Sequence, residues 1–461
     1  MIEVGIFTTG GADVPFETSR SGIRIPAASI EEINAAAQRV TNGQIRQGVI
    51  ADRMGFDYFW MSEHHFIFEG SELSPNPIQS QTAIAALTKR IRLAQAANIL
   101  TWWHPLRLAE QLAILDTISG GRLDVGLGRG YQPRETETFG YSYGSSHGDQ
   151  ERNRAYFEEA IDLIRKAWTE PSFSFHGDFF SVPTKYTPWG HPVTAAYWDA
   201  HGGNERVNEV MGPADGDISI DPMRMDPNGL MRQISLLPRP VQQPHPPLWQ
   251  LMVSPRSLDN AARNGFNGYS NLVPNGALRK QIDSYIASCE RFGWPDARGD
   301  GDAFKPGWDS ARHRGLITGR WIHVDEPGVG NAKKFRAGLE AVWDWYHPFG
   351  FSALVTGDPT VPATTDLLEQ GDLALVGSKD RVIEGIMRIK EEVYGDSDFF
   401  FNCQFEAPGL TSSENEEQIQ YFAEEILPVL RRECGGGPDL PQTTVDLIPE
   451  VVAAVEAAAA S

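Results

Sequence analysis

One strand–helix–strand unit in residues 91–131 limits the fold of this chain more than any other feature. The strand IRLAQAANIL is followed by the loop TWWHP, a helix from Pro105 to Ile118, two glycines and a second strand, LDVGLG. Leu108 and Leu112 belong to an apolar stripe at helical spacing. Two strands joined by such a helix are parallel, so repetition of this unit predicts an α/β fold with a largely parallel sheet.

The same alternation recurs along the chain and predicts a (β/α)8 TIM barrel. The chain has 461 residues, of which 41% are hydrophobic, and it can bury the core of one elaborated barrel. The eight predicted strands are Ile2 to Phe7, Tyr58 to Met61, Leu93 to Leu100, Leu123 to Leu127, Leu248 to Val253, Gly268 to Asn271, Leu316 to His323 and Phe399 to Phe405.

Two stretches are too long for ordinary barrel connections. They cover about residues 185–247 and 343–372, and both are rich in aromatic residues. We expect them near the C-terminal face of the strands, as lids, as surface elaborations or as contacts between subunits. The predicted barrel domain spans residues 1–434, and residues 435–461 form a C-terminal extension of different composition that either docks on another subunit or stays mobile.

The run GFDYFWMSEHHF, residues 55–66, predicts a short buried strand that ends in Glu63, His64 and His65. Reactive side chains belong at the C-terminal ends of the strands in a barrel of this kind. Imidazole titrates near neutral pH, which suits a general acid or base. A lone histidine beside a strand is more often a packed or capping residue, so this interpretation needs a second feature.

The second feature is the string GLGRG, residues 126–130, at the end of a predicted strand. It places Arg129 between two glycines, which let the backbone approach a ligand, while the guanidinium group fits a phosphate. A dinucleotide-binding fold would need a helix directly after this strand, and the segment Tyr131 to Pro133 breaks that pattern. No metal site is predicted, because His64 and His65 would point to opposite faces of a strand and no HExxH or CxxC spacing occurs.

Five strings, taken in order, resemble the bacterial luciferase-like flavin-dependent monooxygenases. The similarity extends from Met1 to about Leu430, in an order like that of the luciferase alpha subunit. It implies reduced FMN as co-substrate, O2, a small organic substrate and a separate flavin reductase, with oxygenation through a flavin hydroperoxide kept away from water. The strings are EHHF after GFDYFW, HPLRLAEQLAILDTISGGRLDVGLGRG, the segment from Ser254 to Ser257, LALVGSKDRVIEGI and FNCQFEAPG.

The resemblance also implies roles for single residues. His64 matches the first histidine of the family's EHH string and would be the catalytic acid or base, with Glu63 and His65 in support. Gly128 stands where luciferase alpha has a cysteine, so light emission with a fatty aldehyde is not expected. The implied cofactor-binding residues are Arg129 at the phosphate, Ser254 and Ser257 at a helix N-terminus, Arg152 or Arg154 as a further cation, and Ala97, Asn98 and Gly128 at the strand ends near the flavin ring.

Two alternatives stay open. One is an oxidoreductase of the same superfamily that transfers hydride with a deazaflavin and does not activate oxygen. The other is a noncatalytic subunit that resembles luciferase beta, although the combination of the EHH string with Arg129 argues against it. Hydroxylation, aldehyde oxidation and Baeyer–Villiger insertion all remain open as the reaction.

Charge and cysteine content restrict the partners and the location. The net charge of -21 and a pI near 5.0 argue against nucleic acid or an anionic membrane as partner. Cys289, Cys403 and Cys434 show neither a disulfide framework nor metal-ligand spacing, and the start MIEVGIF reads as a strand and not as a signal segment. No uncharged apolar run approaches the length of a membrane span. We expect a soluble, cytoplasmic homodimer or other homo-oligomer.

Overall fold

Eight parallel strands close into a barrel in the computed structural model, which describes residues 1–140, 149–202, 230–293, 308–309, 314–440 and 442. The order around the barrel follows the chain, and the last strand pairs with the first. The strands are β1 (Ile2–Thr8), β2 (Tyr58–Met61), β3 (Arg92–Gln95), β4 (Leu123–Gly128), β5 (Leu248–Leu251), β6 (Asn267–Ser270), β7 (Arg314–Val324) and β8 (Phe399–Gln404).

The barrel closes through β1, which pairs with β8 on one side and with β2 on the other. Ile2 lies opposite Phe399, and Gly5 lies opposite Tyr58. The predicted (β/α)8 fold is therefore confirmed, and each predicted strand overlaps an observed one. The strand predicted from Leu93 to Leu100 differs, because β3 ends at Gln95 and a separate pair of residues, Asn98–Ile99, resumes pairing with β4.

Helices follow the strands and surround the barrel. The predicted helix after β3 begins with Pro105 at its first position and ends at Gly120, which has the left-handed φ of 65° that favours glycine. The helices are α1 (Ile30–Arg53), α2 (Pro77–Leu87), α3 (Pro105–Ser119), α4 (Gln150–Thr169), α5 (Pro255–Asn264), α6 (Asn275–Arg291), α7 (Ala332–Tyr346), α8 (Lys379–Ile389) and α9 (Ser412–Tyr421), and α9 continues through Phe422–Ile426 and Leu427–Glu433.

The barrel interior is filled by aromatic side chains. Trp60 packs against Trp249 and Tyr269, with ring centroids 5.2 Å and 5.4 Å apart, and Tyr58 packs against Phe400 at 4.4 Å. All five rings are buried. Since this interior is a packed core and not a pore, the space for a ligand lies beyond the C-terminal ends of the strands.

Smaller elements decorate the barrel. Two antiparallel hairpins pair Phe16–Thr18 with Arg24–Pro26 and Phe175–His176 with Ser181–Val182. A parallel strand that was not predicted, Ala374–Gly377, pairs with the end of β7, and Trp308–Asp309 pairs antiparallel with its start. Short helices lie at Pro133–Thr138, Ala195–Ala200, Ala353–Thr356 and Thr365–Gln370.

The two predicted insertions differ in structure. The first is described for residues 185–202 and 230–247, where it holds only short elements, and its residues 203–229 lie outside the described chain. The second begins inside α7, because Leu339, Val342, Trp343 and Tyr346 continue the buried face of that helix. Most of the predicted C-terminal extension also lies outside the described residues. Within the described ranges no helix is long and apolar enough to cross a membrane.

Candidate active site

A cleft opens at the C-terminal ends of the strands and encloses about 1040 Å³, part of it open to solvent. Residues in or just after all eight strands line it, from Phe7 near the end of β1 to Gln404 at the end of β8. The structure brings seven of the predicted site residues together along its wall. These are Glu63, His64, Ala97, Gly128, Arg129, Ser254 and Ser257.

His64 lies between two buried carboxylates. Its Nδ1 is 3.3 Å from Oε1 of Glu135, and its Nε2 is 3.4 Å from Oε1 of Glu72. The His64 side chain is 11% exposed. Burial acts to lower the pKa of His64, but the charges of Glu72 and Glu135 outweigh it and raise this pKa to about 9.

Glu63 and His65 form a separate pair beside His64. His65 Nε2 lies 3.2 Å from Oε1 of Glu63. The same carboxylate accepts hydrogen bonds of 2.7 Å from Nε1 of Trp103 and from the backbone N–H of Ile99. Burial raises the pKa of Glu63, although these donors oppose the shift. Glu63 lines the cleft and His65 does not, so a supporting role for the pair stays a prediction.

Arg129 gives the cleft a positive end, which an adjoining cleft shares. Its Nη1 donates to Oδ1 of Asn153 at 2.8 Å and to Oε1 of Gln150 at 3.3 Å, and both acceptors are neutral amides. Burial, together with the nearby charges of Arg154 and Arg256, lowers the pKa of Arg129 to about 10. Arg129 still carries a positive charge at neutral pH, and no described carboxylate forms an ion pair with it.

The N-terminus of α5 lies beside Arg129. Ser254 caps this helix, and its Oγ accepts a hydrogen bond of 3.2 Å from the backbone N–H of Ser257. The Ser257 hydroxyl oxygen in turn accepts a hydrogen bond of 2.9 Å from the backbone N–H of Ser254. A helix N-terminus carries free N–H groups and a partial positive charge, so it complements an anion bound next to Arg129.

An adjoining cleft, of about 780 Å³, shares Arg129, Ser254 and Ser257 with the first and extends the positive end. Arg154, Arg256 and Arg263 also line it. Glu151 pairs with Arg154 at 2.7 Å and with Arg256 through bonds of 2.9 Å and 2.7 Å, so part of this charge is compensated. The sequence interpretation missed Arg256 and Arg263, which look like ordinary solvated charges on a helix.

Family comparisons agree with this geometry. Residues 20–199 match the family model described as luciferase-like monooxygenase. This part of the chain is similar to luciferase-like monooxygenases. The resemblance predicted from the sequence is thereby confirmed.

Curated relatives of this chain include named oxygenases. It is 26% identical to the oxygenase component of the flavin-dependent trigonelline monooxygenase of Acinetobacter baylyi, over 53% of this chain and 52% of that protein. It is 32% identical to the alkanal monooxygenase alpha chain of Photorhabdus luminescens, over 32% of this chain and 40% of that one. The matches cover 57%, 38% and 52% of the first three curated relatives.

Solved structures share the luciferase-like barrel. The monooxygenase RslO1 from Streptomyces bottropensis superimposes with a TM-score of 0.61 at 22% identity, over 93% of this chain and 99% of that chain. The oxygenating constituent of 3,6-diketocamphane monooxygenase from Pseudomonas putida, in complex with FMN, gives 0.61 at 19% identity, over 92% and 98%. An F420-dependent secondary alcohol dehydrogenase gives 0.55 at 15% identity, over 93% and 99%. At these identities the similarity establishes the fold.

Four predicted site residues do not line the main cleft: His65, Asn98, Arg152 and Arg154. Asn98 is buried, and its Nδ2 donates to Oε1 of Gln95 at 2.9 Å and to the backbone oxygen of Gly126 at 3.1 Å, so it holds the strand ends together. Arg154 lines only the adjoining cleft. Arg152 lines neither and lies 5.5 Å from the centroid of the Phe179 ring. Of the two predicted alternatives, Arg154 is the one beside Arg129.

Gly128 and Ala97 form a close-packed wall. A Cβ added at Gly128 would lie 2.9 Å from Cδ1 of Ile99 and 3.1 Å from Cβ of Ala97. A cysteine at this position, as in luciferase alpha, would therefore require Ile99 to shift. The glycine keeps this side of the cleft free of a side chain where the wall meets Arg129.

Glu72 and Glu135 are the carboxylates that sequence reasoning missed. Glu72 lies in the loop after β2 with a left-handed φ of 58°, and it accepts hydrogen bonds from the hydroxyls of Tyr131 at 2.9 Å and Tyr346 at 2.8 Å. Tyr346 comes from the second predicted insertion, which also supplies Phe351 to the cleft. None of the described residues of the first insertion lines it. In the described chain no group of three or more potential ligands is arranged to hold a metal ion.

Proposed function

We propose that this chain is the oxygenase component of a two-component FMN-dependent monooxygenase, which uses reduced FMN and O2 to oxygenate a small organic substrate. The observation that carries the proposal is the polarity of one cleft. Arg129 and the N-terminus of α5 give it a positive region that suits a phosphate, and the same cleft is lined by His64, which lies between two buried carboxylates. The named relatives support an oxygenase, because one of them is the oxygenase component of a flavin-dependent monooxygenase.

The residues present fit a flavin phosphate. Arg129 is charged and has only neutral amide partners in the described chain, so a phosphate dianion would complete its charge balance. The N-terminus of α5 adds the partial positive charge of the helix dipole at Ser254 and Ser257, and Arg154 adds a full charge. FMN carries such a phosphate and riboflavin does not, which makes the preference measurable.

The rest of the cleft suits the proposed chemistry. Reduced FMN, when bound, supplies the electrons with which O2 is activated. Ala97 and Gly128 offer the smooth wall against which a flat ring would lie, and Leu251 and Val253 line the cleft with apolar side chains. His64 would hold or deliver a proton at the ring nitrogen that faces the cleft. Excluding water at this site would limit the loss of oxygen equivalents as peroxide.

An aromatic and apolar region of the cleft supports an organic substrate. Leu272, Trp321, Tyr346 and Phe351 line it. Such side chains bind the apolar part of a ligand, while the neighbouring polar groups orient it. The proposal includes a separate flavin reductase, as the name of the trigonelline relative suggests, together with a homo-oligomeric, cytoplasmic protein.

Anaerobic flavin binding followed by oxygen mixing tests the proposal. The chain is incubated with reduced FMN or with a reduced deazaflavin, mixed with O2, and followed by flavin absorbance and by a peroxide assay. We expect reduced FMN to bind and peroxide release to be slower than from free reduced FMN. Binding of the deazaflavin alone would favour the hydride-transfer alternative. Binding of neither flavin would favour the noncatalytic subunit.

A further inference from the structure

The two ring nitrogens of His64 both face carboxylate oxygens. Nδ1 is directed at Glu135 over 3.3 Å and Nε2 at Glu72 over 3.4 Å. A neutral imidazole has one donor nitrogen and one acceptor nitrogen. In the neutral form one nitrogen lone pair would therefore face a carboxylate oxygen, whereas the imidazolium form donates from both nitrogens. The geometry favours a doubly protonated ring.

Both carboxylates are held in place by other donors. Glu135 is fully buried, and its Oε1 accepts a hydrogen bond of 2.7 Å from the backbone N–H of His65. Glu72 is also buried and accepts from the hydroxyls of Tyr131 and Tyr346. Hydrogen bonds to a carboxylate favour its ionised form, so the shared protons belong on His64.

Other charged or titratable groups near His64 reinforce this arrangement. The carboxyl group of Glu63, from the end of β2, also acts to raise the pKa of His64. Tyr131 presents its ring edge-on, with centroids 5.7 Å apart. The pKa of this tyrosine is raised well above its ordinary value, by burial first and by Glu72 second, so it stays a neutral donor. Among the described residues, Glu72 and Glu135 face the imidazole nitrogens, and Glu63 and Tyr131 are further titratable groups beside them.

The geometry points to Glu72 and Glu135 as positioning residues that hold His64 as an imidazolium, so that His64 is a proton donor and not a general base. The Nε2 proton is the reactive one, because His64 and Glu72 line the cleft and Glu135 does not. One atom of O2 would enter the substrate, and the reduced flavin anion would supply two electrons and one proton for the other atom. The Nε2–H bond of His64 would break as the second O–H bond forms on that oxygen, which leaves as water, and the imidazole would regain a proton from solvent. The use of this proton rests on the proposed oxygenation, whereas the protonation of His64 does not.

A histidine-labelled sample of the full chain tests the protonation state without any flavin. Long-range proton–nitrogen NMR spectra report whether each ring nitrogen carries a proton, and His64→Asn identifies the signals of His64. We expect both nitrogens to be protonated at pH 7.5 and to titrate near pH 9. A neutral His64 ring at pH 7.5 would overturn the inference.

Paired variants assign the effect to the two carboxylates. Glu72→Gln and Glu135→Gln keep the side-chain size and remove a charge, and each should lower the titration midpoint of His64 by about one pH unit or more. Glu69→Gln is the control, because Glu69 pairs with Arg134 at 2.7 Å and does not contact His64. An unchanged midpoint in both variants would overturn the positioning role. If one variant fails to fold, the other and the wild-type titration still decide.

The pH dependence of coupling, which is the amount of product formed per reduced FMN, tests the donor role of His64 separately. Product formed per reduced FMN should stay constant from pH 7 to 8 and fall as the pH passes about 9, and in Glu135→Gln the fall should move to lower pH together with the NMR midpoint. A fall in coupling that stays at the same pH while the NMR midpoint moves would show that the proton of His64 is not used. An absence of oxygenation with an intact imidazolium would instead contradict the proposed function alone.

Discussion

At the N-terminal ends of the strands Arg92 donates to a carboxylate oxygen of Asp124 at 2.6 Å and to the backbone oxygen of Leu123 at 3.1 Å. At the C-terminal ends Arg129 has only the amide oxygens of Gln150 and Asn153 as described partners. Burial acts to lower the pKa of Arg92, but Asp124, with smaller contributions from Tyr58 and Asp116, outweighs it and the pKa is raised, whereas the pKa of Arg129 is lowered to about 10. The same residue type is charge-balanced at one end and not at the other.

This difference separates stability from ligand binding. The N-terminal end of the barrel is closed by buried groups such as Asp124, which also accepts a hydrogen bond of 2.9 Å from Nε1 of Trp249. An internally satisfied ion pair leaves nothing for a ligand, while an arginine without a carboxylate partner is available to a phosphate. We therefore expect substitutions at the N-terminal end to change folding and substitutions at the cleft to change chemistry.

The largest effect is expected at the cleft, from His64→Ala. Productive oxygenation should fall by about 10² to 10⁴, the range for a positioned acid or base, with FMN binding retained. Product per reduced FMN, measured beside flavin affinity, checks this. His65→Ala is the matched control, and a comparable loss there would move the role to the neighbouring histidine.

At the opposite end Arg92→Met should destabilise the fold by about 3 to 5 kcal/mol, because it leaves the buried Asp124 without its cation. Arg129→Met should cost no more than about 1 kcal/mol, because only neutral acceptors are left behind. Urea unfolding of both variants measures the difference. Equal costs would remove the distinction between the two ends.

Glu3, a buried residue of β1, should make the free energy of unfolding depend on pH. Burial, with the charge of Asp57 adding to it, raises the pKa of Glu3 from 4.5 to about 9. Because the folded-state pKa is raised, this group's contribution to stability is fully present below about pH 4.5 and is lost as the pH rises toward 9, by at most about 1.4 kcal/mol per pH unit. Glu3→Gln should flatten the dependence of the unfolding free energy on pH between 5 and 8. An unchanged slope would show that Glu3 ionises normally.

The smallest expected changes in unfolding free energy come from one substitution in each predicted insertion. Tyr346→Phe removes a buried donor to Glu72 and should cost about 1 kcal/mol of unfolding free energy. In the first insertion, Tyr186 is 73% exposed, so Tyr186→Phe should change the unfolding free energy by less than about 0.5 kcal/mol. Thermal unfolding of the pair measures both. An equal loss in the two variants would contradict the closer packing of the second insertion against the site.

Local patterns predicted the barrel and the ends of its strands. Alternating apolar runs and helical stripes depend on neighbouring residues, so all eight strands could be located, and the strings that follow β2 and β4 identified His64 and Arg129. The partner Glu72 could not be found in this way, because its φ of 58° is rare outside glycine and its contact with Tyr346 spans 274 positions. Contacts between distant loops are set by the folded barrel and not by local spacing.

The choice between Arg152 and Arg154 shows the same limit on a smaller scale. The two residues are two positions apart on α4, so they project in different directions from the helix. Arg154 reaches the adjoining cleft, and Arg152 lies over Phe179. The resemblance was uncertain by about one helical turn here and left the assignment open, whereas the orientation of α4 brings only Arg154 to the adjoining cleft.

The central claim is that the positive end of the cleft binds the phosphate of FMN, and a comparison of FMN with riboflavin in the same redox state tests it most directly. Calorimetric titration of the wild-type chain, Arg129→Ala and the control Arg152→Ala measures both affinities. We predict that Arg129→Ala weakens FMN by about 1.5 to 3 kcal/mol, roughly 10- to 150-fold, and leaves riboflavin and the control nearly unchanged. Equal losses for FMN and riboflavin in Arg129→Ala would contradict the phosphate role.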